Sequence, residues 1–599
     1  MSDKKLKPRE RINDKYKWNI SAMYPDEGKW HDDFEAVSRM AGDFTRFSGA
    51  LSKDAATLLS AFRMRDDLWL TAERVFVYAR MKRDEDNRNT KYQAMADKCH
   101  SLFAKAGAAL SFFTPELLEI PEDVLRSFIS AEEGLKLYEF AILDTLRLKR
   151  HVLSKAEENI LAQYSEITGA TNDIFTMFNN ADVKFGNVTD EDGEESELTH
   201  GKYIVFMESA DRRVRKEAFT NMYTAYKNQI NTLASMYNYN TKTDIVSSRI
   251  RKYDSSLHAA LSGGNIPISV YENLVGAVNA NLDSLHRYMD VRKKILELSE
   301  LHMYDIYVPL ISLPKKTVPY ETAVGVMEAG LAPLGSDYIS KMKAGLSAGW
   351  ADVYENEGKT SGAYSFGSYD SMPYMLLNYT DTLKDVFTLA HEMGHSMHSK
   401  YTREAQPFIY GSHSIFTAEV ASTVNESLLM EYLIGAEKDV DVRKYLLNMR
   451  IEEFRTTLFR QTMFAEFELL THRAVEDGEA LTAEWLSEEY GKLNKKYFGD
   501  AVFMDDDIRM EWARIPHFYN AFYVYQYATG LSAATAIAGR ILNGGAKEQA
   551  EYIEFLKSGE SDHPIELLKI TGVDMSTKAP VAMAMKTFEA LVEEFARLV

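Results

Sequence analysis

The chain has 599 residues, 45% of them hydrophobic and 26% charged, with a formal net charge of −20. That is an ordinary composition for a globular protein with a substantial core. The acidic balance argues against nucleic acid or an anionic membrane as partner, since both are held by clustered Lys and Arg. The single cysteine, Cys99, excludes an internal disulfide and a cysteine metal cage and suits a reducing cytosol.

The first twenty residues, "MSDKKLKPRERINDKYKWNI", are basic but lack the apolar core of a secretory signal. No run approaches 18 uninterrupted apolar residues. The expectation is a cytoplasmic protein without membrane association.

Most of the chain reads as helix. Only 14 prolines interrupt it, and apolar residues recur at three- and four-residue steps. In residues 54–86, Leu58, Leu59, Phe62, Leu68, Leu70, Val75 and Phe76 form a broken stripe. A second helical run, 121–150, opens on Pro121, a residue suited to a helix start. Residues 181–209 alternate apolar and polar at both ends and read as a β-hairpin. Their acidic middle, Asp190 to Glu197 with Gly193, is its solvated tip. A division near residue 200 separates an N-terminal helical region, 1–200, from the remainder, 201–599.

Residues 361–380 are the second β-like stretch. Pro373 cannot donate to a ladder, so the piece belongs at a sheet edge or a strand start. An edge there would let an extended peptide add as a strand. Thr382 and Asp385 then form a capping box for a helix.

That helix carries "HEMGH" at 391–395. His391 and His395 lie about 40° apart round the axis, with Cβ atoms about 5–6 Å apart, so two imidazoles can meet one ion. Glu392 is about 100° round from His391, badly placed to ligate but able to reach a water on the ion's open side. This is the H-E-x-x-H zinc pattern. Gly394 allows another element to approach closely. The longer pattern with a third histidine is absent, because 398 is His398 and 401 is Tyr401. His398 is two turns from His391 and reads as a polar or packing neighbour.

The third ligand must come from elsewhere. In 415–434, Glu419 and Glu426 are seven residues apart and share one helix face, about 20° apart. The helix also carries Val420, Val424, Leu428 and Leu429, so it is packed. Glu419 as ligand and Glu426 as acceptor for a histidine N–H satisfy both carboxylates. Surface salt bridges are the plainer alternative.

"HEMGH" followed 24 residues after His395 by Glu419 in "FTAEVASTVNE" resembles the thimet oligopeptidase-like zinc metallopeptidases. With "GKTSGAY" upstream and "IPHFYNAFYVYQYATG" downstream, it is more narrowly similar to oligoendopeptidase F. The resemblance implies a mostly α, two-lobed fold with a deep substrate channel and a small β-sheet beside the zinc helix. It implies one zinc per chain on His391, His395 and Glu419, with Glu392 as catalytic base. It implies short unfolded oligopeptides as substrates and no obligate protein partner. It also implies a histidine and tyrosines from 515–530 as oxyanion donors. His517 matches the histidine and Tyr525 the principal tyrosine, with Tyr519 next. Phe522 stands where the thimet branch has a tyrosine. Gly362 and Ala363, with Gly411 and His413 of "IYGSHSIF", match substrate-binding segments, although a plain surface turn suits the latter pair equally.

Two other classes stay open. A metallocarboxypeptidase needs a cation for the terminal carboxylate, for which Arg514 and Arg460 are present. A non-enzymatic helical scaffold needs a closed, four-ligand structural zinc.

Overall fold

The computed structural model describes residues 5–312 and 317–599. Helices dominate, and the sheets are small: β1 (Asn187–Thr189) with β2 (Glu195–Glu197), β3 (Leu301–His302) with β7 (Val502–Phe503), and the three-stranded β4 (Ala351–Asp352), β6 (Tyr374–Leu376), β5 (Tyr364–Phe366). No helix among the described residues is long and apolar enough to cross a membrane.

Two compact units interleave in sequence. One comprises Met1–Val152, Lys315–Tyr432 and Ile537–Gly572; the other comprises Leu153–Pro314, Leu433–Ala536 and Val573–Val599. The sequence reading divides the chain once, at 200, whereas these units are discontinuous.

In the first unit, helices α1 (Glu27–Phe44), α2 (Ala55–Glu85) and α3 (Thr90–Leu110) pack round Trp30, Phe44, Phe62, Val75 and Leu102. Asp54 caps α2 by accepting the Thr57 N–H at 2.8 Å, which satisfies one orphan donor of the first turn. The stripe is as expected at Leu58, Leu59, Phe62, Leu68 and Val75, all buried, while Leu70 and Phe76 are half-buried. The run after Pro121 is broken: helix Glu122–Ala131 gives way to a 3-10 segment, Glu133–Tyr138, before helix Glu139–Arg147. Gly134 packs there against the Leu59 side chain, closer than a Cβ allows.

The acidic hairpin forms, but it is shorter than expected. The strands pair antiparallel, with Val188 opposite Ser196. Residues 200–207 are helical, not strand, begun by a Thr199 cap. In the three-stranded sheet, Pro373 immediately precedes β6, which is the central strand; the edge beyond it is β5. Tyr374, Met375 and Leu376 are all buried, so β6 has no solvent face.

Candidate active site

Helix α4 (Leu383–Ala405) begins with the expected capping box. Thr382 Oγ1 accepts the Asp385 N–H, and the Asp385 carboxylate accepts the Thr382 N–H at 2.9 Å. Val386, Leu389, Ala390, Met393 and Met397 are buried on the helix. His391 and His395 sit half-buried beside that apolar stripe. Helix α5 (Ile415–Ala436) crosses at Gly394, where a Cβ would lie 2.5 Å from Ser422 Cα and 2.7 Å from the Ala421 carbonyl. Asn425 Nδ2 donates to the Ala390 carbonyl at 3.0 Å, and Tyr338 holds the Asn425 carbonyl oxygen. These contacts fix the register between the two helices.

The register brings three ligand atoms together. His391 Nε2 and His395 Nε2 are 3.2 Å apart. Glu419 Oε2 is 3.6 Å from the first and 3.9 Å from the second. A point equidistant from three atoms so spaced lies about 2.1 Å from each, within the range of zinc–nitrogen and zinc–oxygen bonds. Two imidazoles and a carboxylate are the donor types zinc takes. A divalent cation therefore fits. Among the described residues this is the one such cluster.

The surrounding hydrogen bonds orient the rings. His391 Nδ1 donates to Glu426 Oε2 at 3.1 Å, leaving Nε2 aimed at the cluster. His395 bonds the Ala418 backbone. Burial lowers the His391 pKa, but the hydrogen bond and charge of Glu426 outweigh it, and Glu392 and Glu419 add to the rise, to about 9. Burial and the charge of His391 push His395 down to about 3. Glu392 is only 6% exposed. Burial raises its carboxyl to about 7, with His391 opposing and Glu419 and Glu426 adding, while the Ser365 N–H donated to it lowers it. Ser365 belongs to β5, and its hydroxyl also meets Ser396 of α4 at 2.8 Å. Three carboxylates thus converge on two imidazoles, an excess of negative charge suited to a cation.

The profile described as Peptidase family M3 matches residues 205–587, and one described as Oligopeptidase F matches 116–185. This chain belongs to peptidase family M3. It is 46% identical to Oligopeptidase PepF of Bacillus subtilis over 593 residues, covering 99% of this chain and 88% of that protein. It is similar in structure to a peptidase from Chlamydophila abortus, with TM-score 0.93, 34% identity, and coverage of 99% and 100% of the two chains. It is also similar to oligoendopeptidase-F from Enterococcus faecium, with TM-score 0.74, 38% identity, and coverage of 96% and 99%. The M3 peptidase is thus a metalloendopeptidase, and the expected mostly helical fold is present.

The other expected site residues of the M3 peptidase divide by environment. Gly362 and Ala363 line a cleft of about 220 Å³ with Asn378, facing Asp385 and Thr388 on the first turns of α4. Gly411 packs on the Tyr369 ring. The His413 ring lies 3.7 Å from that of His398, and Thr402 Oγ1 is 2.9 Å from His413 Nε2. His398 is 2% exposed, a packing residue as read.

In the second unit, His517 is half-buried and lies on a short 3-10 turn, Pro516–Tyr519. Tyr525, the principal tyrosine of the sequence reading, is 1% exposed, and its ring lies 5.1 Å from that of Tyr271. Tyr519 stacks on Phe175 at 4.3 Å. The rings beside His517 are Tyr523, at 6.5 Å and nearly parallel, and Tyr527, at 6.2 Å. Tyr523 lies just before the helix Tyr525–Asn543, Tyr527 lies on its first turn, and the two hydroxyls are 3.5 Å apart. The sequence reading does not single out Asn425 or Ser365, whose contacts hold the helix crossing and Glu392, and nothing local marks Ser365.

Gly394→Ala tests the helix crossing. The methyl meets backbone, which cannot rotate away, so the expected loss is about 1–3 kcal/mol of stability despite alanine's better helix propensity. Affinity for a divalent cation should fall with it, because the cluster draws its atoms from both helices. Thermal unfolding with and without zinc checks this; an unchanged melting temperature would contradict the close approach.

Proposed function

We propose that this metalloendopeptidase hydrolyses internal peptide bonds of short unfolded oligopeptides, using one zinc on His391, His395 and Glu419 and Glu392 as general base. The observation that carries the reading is the three-atom cluster with the buried Glu392 carboxyl on the same helix. Zinc held there by His391, His395 and Glu419 would supply Lewis acidity to the reaction. Glu392, a buried carboxyl held by the Ser365 N–H, takes the proton from the attacking water and returns it to the leaving nitrogen. The Ser365 N–H keeps that carboxylate aimed. The β5 edge, continuous with Gly362 and Ala363, would hold substrate backbone as an added strand. His517 stays the proposed oxyanion donor, now with Tyr523 and Tyr527 in place of Tyr525. The lone Cys99 and the acidic composition support cytoplasmic action.

The alternatives lose ground on specific contacts. Glu511 engages both Arg460, at 2.6 Å, and Arg514, at 2.7 Å, so neither arginine stands ready for a terminal carboxylate. A structural zinc wants four protein ligands, and the cluster offers three among the described residues. A peptide acetylated at its N-terminus and amidated at its C-terminus separates the classes. Mass analysis should show internal cleavage; a blocked peptide left intact while free peptides lose terminal residues would overturn the reading.

Glu426→Gln should give a folded protein with metal retention and turnover each reduced about 10–100-fold, the usual cost of an outer partner. The His391 contact at 3.1 Å is the reason. Competition with a chromogenic chelator measures it, and wild-type affinity and turnover would demote Glu426 to a surface residue.

A further inference from the structure

Five non-glycine residues among those described hold a positive φ, and Phe522, at 55°, is the one that is also buried. A bulky L-residue is strained there and stays so only where its surroundings over-determine it. Two groups do so here. The Phe522 ring is wedged between His472, at 4.5 Å, and Tyr271, at 5.8 Å. Its backbone N–H donates to Glu468 Oε1 at 3.0 Å.

Glu468 lies on helix α6 (Arg460–Glu476) and is fully buried, and its second oxygen, Oε2, has no hydrogen-bond partner. Among the described residues no ion pair is made to this carboxyl, and Asp244, whose charge acts on it, meets His472 at 3.4 Å. Burial pushes the carboxyl above its usual range, while the Phe522 N–H opposes the rise. Whether ionised or neutral, the carboxyl keeps an oxygen that accepts the Phe522 N–H. Such a group is costly in a core, and the hydrogen bond it does make falls on the strained residue.

That residue stands between the groups already singled out. His517 is five positions before it, and Tyr523 follows at once. Tyr523 lies nearly parallel to His517, and Tyr527 meets Tyr523 edge-on at 5.4 Å. The φ of Phe522 therefore sets the direction in which the chain leaves the core and presents Tyr523. We propose that Glu468 is a positioning residue: its carboxyl pins the left-handed turn at Phe522 and thereby aligns His517, Tyr523 and Tyr527. The inference rests on the reading of those three as groups that meet the substrate.

Glu468→Leu, Glu468→Gln and His517→Ala, all zinc-loaded, test it together. Glu468→Leu removes the acceptor and should lower kcat about 10–100-fold with KM and zinc content little changed, the Phe522 N–H being left unsatisfied in the core. Glu468→Gln keeps an acceptor of the same shape and should stay within about threefold of wild type. A folded leucine variant with wild-type kcat overturns the proposal, as does a glutamine variant as impaired as the leucine one. If the leucine variant does not fold, hydrogen exchange of the wild-type protein decides. The Phe522 amide should exchange as slowly as core helix amides, and rapid exchange overturns the pin. His517→Ala separates the two readings: an unaffected kcat would sink the substrate-facing role of the segment while leaving the protected amide standing.

Discussion

Glu392→Gln is expected to bind one zinc per chain and to cleave peptides about 10²–10⁴ times more slowly than the wild type, the range typical of a lost general base. The substitution changes little besides the proton chemistry. Glutamine has the shape of glutamate, and its Oε1 can still accept the Ser365 N–H that the carboxylate accepts now. The side chain is 6% exposed, so the neutral amide is easier to bury than the charge it replaces. The amide cannot take a proton from water at neutral pH. Because the proton is in flight only in the transition state, kcat and kcat/KM should fall together with KM unchanged. Steady-state kinetics on an internally quenched peptide, beside zinc analysis of the same sample, read both quantities. A variant within a few-fold of wild type would remove Glu392 from the mechanism.

Glu419→Ala should behave in the opposite way, folding normally and losing metal. The Glu419 side chain is 46% exposed, so its truncation leaves no cavity, and the metal-free protein should melt where the metal-free wild type does. One of three ligands is gone, however. The loss of zinc affinity should exceed the roughly 10–100-fold typical of an outer hydrogen-bond partner. Activity should follow zinc occupancy and return in part at high zinc concentration. Equilibrium dialysis against a zinc buffer measures the affinity. Retained zinc with lost activity would mean that ligand and base are exchanged in the present assignment.

Legibility followed the range of the interactions involved. His391 with His395, and Glu419 with Glu426, are readable as pairs because helix periodicity puts each pair on one face, whereas the 3.1–3.9 Å separations between the pairs come from the crossing of the two helices. The Thr382–Asp385 cap is local in the same sense. Gly394 was legible as a close approach, though not its partner Ser422, because a missing side chain says nothing of what fills the space. Chemistry marks every tyrosine of 519–527 alike, so the sequence does not separate them, while the burial of Tyr525 depends on Tyr271, more than 250 positions away. Pro373 allows a sheet edge or a strand start, and it stands at the start of β6, the central strand, with β5 as an edge. The interleaved units left no local trace, since helix packing across hundreds of residues is not a property of any window of sequence.

The claim that two helices build one metal centre is tested most directly by X-ray diffraction from zinc-loaded crystals at the zinc absorption edge. The account predicts a single anomalous peak per chain at bonding distance, about 2.1 Å, from His391 Nε2, His395 Nε2 and Glu419 Oε2. A peak bound elsewhere, or none at these three atoms in crystals of active enzyme, would contradict it.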